Sequence, residues 1–255
     1  MSSATPSSGP MKPMSNIRAE LAPLVAFGAH PDDVEFGCGG VVALEVRGGR
    51  PVHLVVCSRG ESATHGTPEE RAQECRHAAR LLGASLELIE LDGDARLEAR
   101  AAHAIRLAGM IRRLRPAIVL APTLVENQHP DHARLGCLVR DAARISRYGG
   151  VAELRELAPH AVEHLFFYAL TPGAEPRDAT PIFVDVSAPE VLTAWTAAME
   201  AHATQVKARS YVEMQLTRAR VNGLRVGVGH AIALYPNDPP VIDSLARLGR
   251  SASQF

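Results

Sequence analysis

Between Leu24 and Ala121, short apolar runs alternate with longer segments of helical periodicity, and this alternation limits the fold more than any other feature. Leu24-Val25-Ala26-Phe27 is the first run. Val52 to Cys57 is short and rich in valine, as a buried strand is. Thr67, Pro68 and Glu70 form a helix start, with an N-cap, a proline at the first position and a glutamate three residues after the cap. That helix should run to Leu82 and close at Gly83, with Ala72, Cys75, Ala79 and Leu82 on its apolar face. Leu86 to Leu91 alternates as a third strand. Leu97 to Leu114 is expected as a helix stopped by Pro116, and Ala117 to Ala121 as a central strand covered on both faces. This repetition predicts a parallel sheet with right-handed crossovers. Further on, the pattern predicts a helix over Val139–Ile145, strands over Leu165–Leu170 and Ile182–Val186, and helices over Pro189–Ala203 and Ser210–Val221. Gly227 to Asp243, with Pro236, Pro239 and Pro240, reads as irregular. The expected fold class is α/β: a Rossmann-like three-layer fold with a mostly parallel sheet. No linker divides it, so residues 21–255 should form a single domain behind a flexible Ser- and Pro-rich tail at 1–20.

The chemistry gathers at two of the predicted strand ends. Ala29-His30-Pro31-Asp32-Asp33 follows the first strand, with Glu35 close behind. Pro31 keeps His30 extended, because the proline ring clashes with a preceding α-region residue. Asn127-Gln128-His129-Pro130-Asp131-His132 follows the fourth strand. Pro130 suits a helix's first turn, and His129 and His132 are close enough in sequence to share one face of it. Taken alone, each cluster also reads as a turn with a helix-capping aspartate. Two clusters on one sheet edge favour a metal site instead. His30, one aspartate and His132 as ligands leave a fourth position open for water, as in a catalytic zinc site. The residues alone do not say which of Asp32 and Asp33 would bind metal. Gly37, Gly39 and Gly40 follow the turn, Val41 to Val46 reads as a helix, and Gly37-Cys38-Gly39-Gly40 followed by Val41-Val42 lacks the G-x-G-x-x-G of a dinucleotide loop.

Composition excludes several classes. The formal net charge is −1, so there is no basic surface for nucleic acid. No apolar stretch approaches the ~20 residues of a membrane span, and the N-terminus does not read as a secretory signal. Cys38, Cys57, Cys75 and Cys137 contain no C-x-x-C pair, which argues against a cysteine zinc knot and fits a reducing cytoplasm. Cys38, near the first cluster, reads as packing or as a lining residue.

The two clusters resemble the paired signature motifs of the LmbE-like, or PIG-L, family of zinc-dependent N-acetylglucosaminyl deacetylases. Arg59-Gly60-Glu61, Gly66-Thr67-Pro68-Glu69, Arg71 with Glu74, Ala78-Ala79 and Leu82-Gly83 extend the likeness to the bacterial branch of bacillithiol and mycothiol synthesis. The resemblance implies that His30, Asp33 and His132 bind the metal and that Asp32 is the general base. The metal would be Zn²⁺, although Fe²⁺ or another divalent ion suits the same ligands. His129 would stabilise the oxyanion, Asp131 would orient His129, and Arg71 would contact substrate. Without the resemblance, Asp131 reads as a helix-start carboxylate, Arg71 as a surface partner of Glu74, and Glu35 as a helix cap or a residue pointing at the pocket. Asp92 and Asp94 read as a turn, and His202 with Gln205 as a structural feature. The implied partner is a small N-acetylated sugar, a GlcNAc conjugate. A homo-oligomer is compatible with the family, with Phe166, Phe167 and Trp195 serving either an interface or the core.

The sequence departs from the family near its end. His230-Ala231-Ile232-Ala233-Leu234 stands where relatives carry an aromatic, Ala, Glu and a second aromatic, in a region that shapes their sugar pocket. His65 also precedes Gly66 where relatives often have arginine. Two alternatives therefore stand beside the deacetylase: a deacylase of another N-acyl compound, such as an antibiotic or nucleoside conjugate, and a non-catalytic metal- or sugar-binding relative.

Overall fold

A computed structural model describes residues 21–126, 129–207 and 210–242, together with 244, 245, 249 and 251. The tail at 1–20, Asn127, Gln128 and Asp243 lie outside the described residues. The elements in chain order are β1 (Leu24–Gly28), α1 (Asp33–Arg47), β2 (Val52–Val56), α2 (Pro68–Leu82), β3 (Ser85–Leu88), α3 (Ala101–Leu114), β4 (Ile118–Pro122) and α4 (Pro130–Ile145). A short 3-10 turn at Ala152–Leu154 precedes β5 (His164–Tyr168), β6 (Ile182–Asp185), α5 (Pro189–Glu200), α6 (Ala203–Val206), α7 (Tyr211–Val226) and β7 (Ala231–Pro236).

One sheet joins all seven strands in the order β3-β2-β1-β4-β5-β7-β6. The first five run parallel, and β7 pairs antiparallel with both β5 and β6. The fold is thus a mostly parallel α/β sheet with helices on both faces, as the alternation predicts. β1 explains the layering: its alternate residues feed two cores. Leu24 and Ala26 join a core with α1, α2, α5 and α7. Val25 and Phe27 join the opposite core with α3 and α4. Trp195 is 1% exposed, in the first of these cores, so it serves packing. Among the described residues no helix is long and apolar enough to cross a membrane.

Several boundaries differ from the expected ones. α1 begins at the first motif, and Gly37, Gly39 and Gly40 lie inside it. They permit close approach: a methyl at Gly37 would overlap the Tyr168 ring, and one at Gly39 would lie 2.7 Å from Trp195 Cδ1. Cys38 sits at a kink between them and is fully buried in the core. β3 ends at Leu88, three residues short. α3 starts at Ala101 rather than Leu97, because the chain from Asp92 first wraps over the sheet edge: Ala95 takes a positive φ of 63° and the Glu98 amide donates to Asp92. α5 ends at Glu200, while α7 continues to Val226 before Gly227. The largest correction is β7, a strand in the stretch expected to be irregular. Ala231, Ile232, Leu234 and Tyr235 are all buried, so no polar alternation marks the strand, and its terminal Pro236 resembles loop punctuation.

Arg112 of α3 fixes the segment after α4. It is 3% exposed and donates to the carbonyls of Ser146, Tyr148, Leu154 and Leu157. Arg112→Met leaves these acceptors without their donor, so an expected loss of about 3 kcal/mol should appear as a lower urea midpoint at unchanged m-value.

Candidate active site

Because β1 to β5 are parallel, their carboxyl ends share one edge. β1 and β4 are neighbours in the 3-2-1-4-5 order, the point at which open α/β sheets bind ligands. The first cluster follows β1 and the second follows β4, so the fold brings them together across this crevice.

Asp33, the first residue of α1, organises its turn. Its Oδ2 accepts the amides of Ala29 at 2.7 Å and His30 at 3.0 Å. Asp32 stands at the N-cap position but makes no capping bond. Its backbone is left-handed, with φ 106°, which costs a non-glycine residue on the order of 1–3 kcal/mol and is typical of functional sites. Its carboxylate accepts instead from Arg71 Nη2 at 3.2 Å. Arg71 is 4% exposed and also donates to the carbonyls of Pro31 and Gly60. The surface pair with Glu74 is not what forms: Glu74 accepts from the Thr204 amide and hydroxyl. Glu35 is not a helix cap either. It is fully buried, and its Oε2 lies 3.5 Å from Nε2 of the equally buried His202. Gln205, three residues on, donates to the His65 carbonyl.

From the other strand end, His129 caps α4. Its Nδ1 accepts the Asp131 amide at 3.3 Å, which leaves the ring N–H on Nε2. Asp131 therefore reaches His129 through its backbone. Its carboxylate points elsewhere: Oδ2 accepts the Ala95 amide at 2.8 Å and lies 3.4 Å from His30 Nε2. The side chain that faces His129 Nε2 is Asp94, at 3.3 Å, and Asp94 Oδ1 is also 3.2 Å from His30 Nε2. Asp94, a turn residue by its sequence, thus belongs to the site. The available signal was its position after a predicted parallel strand, which must end on this same edge.

The groups hold one another's charge. Burial pushes the Asp32 carboxyl up to about 6, although Arg71 pulls it down. Burial would raise Asp33 as well, but His132 and His30 outweigh it and hold Asp33 well below the usual carboxylate range. Asp94 is lowered against its own burial by His129 and His30. Burial disfavours a charged His30, yet Asp33 and Asp131 outweigh it and raise its pKa. The carboxylates thus favour positive charge at His30, which a bound cation would also supply.

The donor set fits such a cation. Among the described residues, His30, His129 and His132 bring ligand atoms within 4.8 Å of one another, as do His30, Asp94, His129 and Asp131. Asp33 stands beside these groups, with its oxygens 3.6 Å from His30 Nδ1 and 3.2 Å from His132 Nε2. The two nitrogens of His30 thus face two seats, one with Asp33 and His132, the other with Asp94, His129 and Asp131. A metal-binding imidazole commonly donates its second nitrogen to a carboxylate. A cation beside Asp33 and His132 would leave His30 Nε2 to do that.

These side chains open onto a cavity of about 580 Å³ that also reaches Arg71, Ser62 and Thr64. The divergent residues 230–234 do not line it. Ile232 and Leu234 pack in the core with α1, so the departure from the family pattern changes the interior of β7 and not the cavity wall.

Fold and site together define a Rossmann-like α/β domain with a His/Asp cluster able to hold a divalent cation at its switch point. Residues 25–143 match the PIG-L family, described as GlcNAc-PI de-N-acetylase. The conserved protein TT1542 from Thermus thermophilus superposes with a TM-score of 0.79 at 32% identity, over 89% of this chain and 100% of that one. The chain belongs to the PIG-L (LmbE-like) family. Among curated relatives, 4-oxalmesaconate hydratase of Pseudomonas putida is 31% identical over 147 residues, 53% of this chain. Diacetylchitobiose deacetylase of Thermococcus kodakarensis is 28% identical over 190 residues, 69% of this chain and 67% of its own. This chain spans little more than half of the hydratase, 57% of its length.

Proposed function

We propose that this protein is a zinc-dependent deacetylase that hydrolyses the acetamide of an N-acetylated amino sugar, a GlcNAc conjugate. His30, Asp33 and His132 would hold the metal. When bound there, a divalent cation acidifies water and draws charge from a carbonyl oxygen. Asp32 is the general base. It lies in the cavity, and the guanidinium of Arg71 fixes its carboxylate, so it can take a proton from the attacking water. His129 lines the cavity and carries its proton on Nε2, which faces Asp94 at 3.3 Å. Before substrate binds, Asp94 holds the His129 ring through that same nitrogen, and the Asp131 amide fixes its tautomer. In the reaction that N–H would turn from Asp94 to the carbonyl oxygen as negative charge develops, and Asp32 would hand the proton it took from water to the departing amine.

One observation carries this reading: Asp32 adopts a strained backbone and gives up helix capping to place its carboxylate in the cavity, against Arg71. A hydration, the activity in the P. putida relative's name, would use the same base. The substrate in that name is a polycarboxylate, whereas this cavity is lined by Asp32, Asp33 and Asp94 with Arg71 as the one guanidinium among the described residues. That balance favours the uncharged acetamide. The deciding experiment offers zinc-loaded protein GlcNAc, GlcNAc-malate, GlcNAc-inositol and chitobiose, and follows acetate and free amine. A parallel assay follows hydration of 4-oxalmesaconate, with Asp32→Asn as the blank in both. Acetate release confined to the parent supports the proposal, and turnover of 4-oxalmesaconate alone would replace it with the hydratase reading.

A further inference from the structure

The residues that line the cavity are of two kinds. Ser62, Thr64, Asp94 and Arg71 form a polar wall beside the catalytic cluster. Phe36, Leu170, Tyr211 and Met214, on α1, in the chain after β5 and on α7, give the cavity an apolar side, with Thr171, Gln205 and Gln215 among them. Phe36 and Tyr211 pack ring against ring with centroids 5.7 Å apart. Gln215 donates to the Leu170 carbonyl, which ties α7 to the chain after β5. The volume, about 580 Å³, lies within the ~300–1,000 Å³ of pockets that enclose drug-sized ligands, so there is room beyond one acetamido sugar. The one guanidinium among the described lining residues is already engaged by Asp32 and two carbonyls, which leaves it poorly placed to receive a second, anionic group.

On the reading of the site as an N-deacetylase, we infer that the natural substrate carries an uncharged apolar group next to the amino sugar, received by Phe36, Leu170, Tyr211 and Met214. Such a group has two sources, a longer N-acyl chain or an alkyl or aryl aglycone, and both present the same chemistry to this wall. A malate- or phosphate-bearing conjugate has no cationic partner on it.

The test uses zinc-loaded full-length protein and two substrate series. One lengthens the N-acyl group of glucosamine from acetyl to hexanoyl. The other keeps the acetamide and changes the aglycone from methyl to hexyl, with GlcNAc-malate as the anionic member. Each methylene buried on the apolar wall should raise kcat/KM about fourfold. A rise along the first series assigns the wall to the acyl chain, and a rise along the second assigns it to the aglycone. Met214→Gln, at a partly exposed position, should flatten the rising series, and Tyr211→Ser should do the same. A flat response in both series, or a preference for GlcNAc-malate, would overturn the inference. Calorimetry keeps it testable without turnover: hexyl β-D-glucosaminide should bind at least about tenfold tighter than glucosamine. If no acetamide is cleaved but this preference holds, the deacetylase reading fails and the apolar subsite stands. Equal binding of the two amines removes the subsite whatever the reaction.

Discussion

Asp32→Asn should lower kcat by about 10²- to 10⁴-fold, the usual worth of a positioned general base, while the protein remains as stable as the parent. The two halves of this result come from the same geometry. The carboxylate lines the cavity and touches Arg71, so its proton-accepting oxygen is lost. The backbone at φ 106° is left-handed, and asparagine is among the non-glycine residues that enter this region most readily. Since Asp32 makes no capping bond, α1 loses none. Steady-state kinetics on any cleaved substrate, with thermal melts of both proteins, check the prediction. Activity within tenfold of the parent would remove Asp32 as the base. A collapsed melting temperature would show that its carboxylate is structural.

The second large effect separates two of the proposed ligands. His132→Ala should reduce bound zinc from about one per chain to near zero and cost less stability than Asp33→Ala, since it removes one partly exposed imidazole facing Asp33. Asp33→Ala should lose the metal as well, and should also be about 3 kcal/mol less stable than the chelated parent. Its Oδ2 accepts two buried amides, Ala29 and His30, and these would be left without an acceptor. Metal analysis by mass spectrometry and urea titrations in the presence of chelator distinguish the cases. Stoichiometric zinc in His132→Ala would move the metal to the other nitrogen of His30, among Asp94, His129 and Asp131.

The parallel half of the sheet is legible because its signals are local. Thr67, Pro68 and Glu70 state where α2 begins, and Gly83 where it ends, and the structure forms the capping box and left-handed closure at those residues. The convergence of the two His/Asp clusters is legible for a related reason: residues after parallel strands must meet on one edge. What is not legible depends on distant partners. Glycines 37, 39 and 40 read as a loop until Tyr168 and Trp195 supply the close approach that requires them in a helix. Asp94 reads as turn chemistry until His129 arrives from the far side of the switch point. Which imidazole Asp131 serves depends on where Ala95 places its amide, a contact between residues 36 positions apart. β7 is hidden because burial on both faces erases the period-two pattern by which a strand is read.

The place of β7 in the sheet also sets an order for synthesis. β5 and β6 are made before it, yet they do not pair with each other; each hydrogen-bonds to β7 on the side where the other would otherwise lie. As the chain emerges, β5 must therefore present an open edge until residues 231–236 arrive, and β6 has no partner at all. Open edges are templates for pairing with other chains. Nascent chains that stall before Ala231 should aggregate even though β1 to β5, with the whole His/Asp cluster, have already been made.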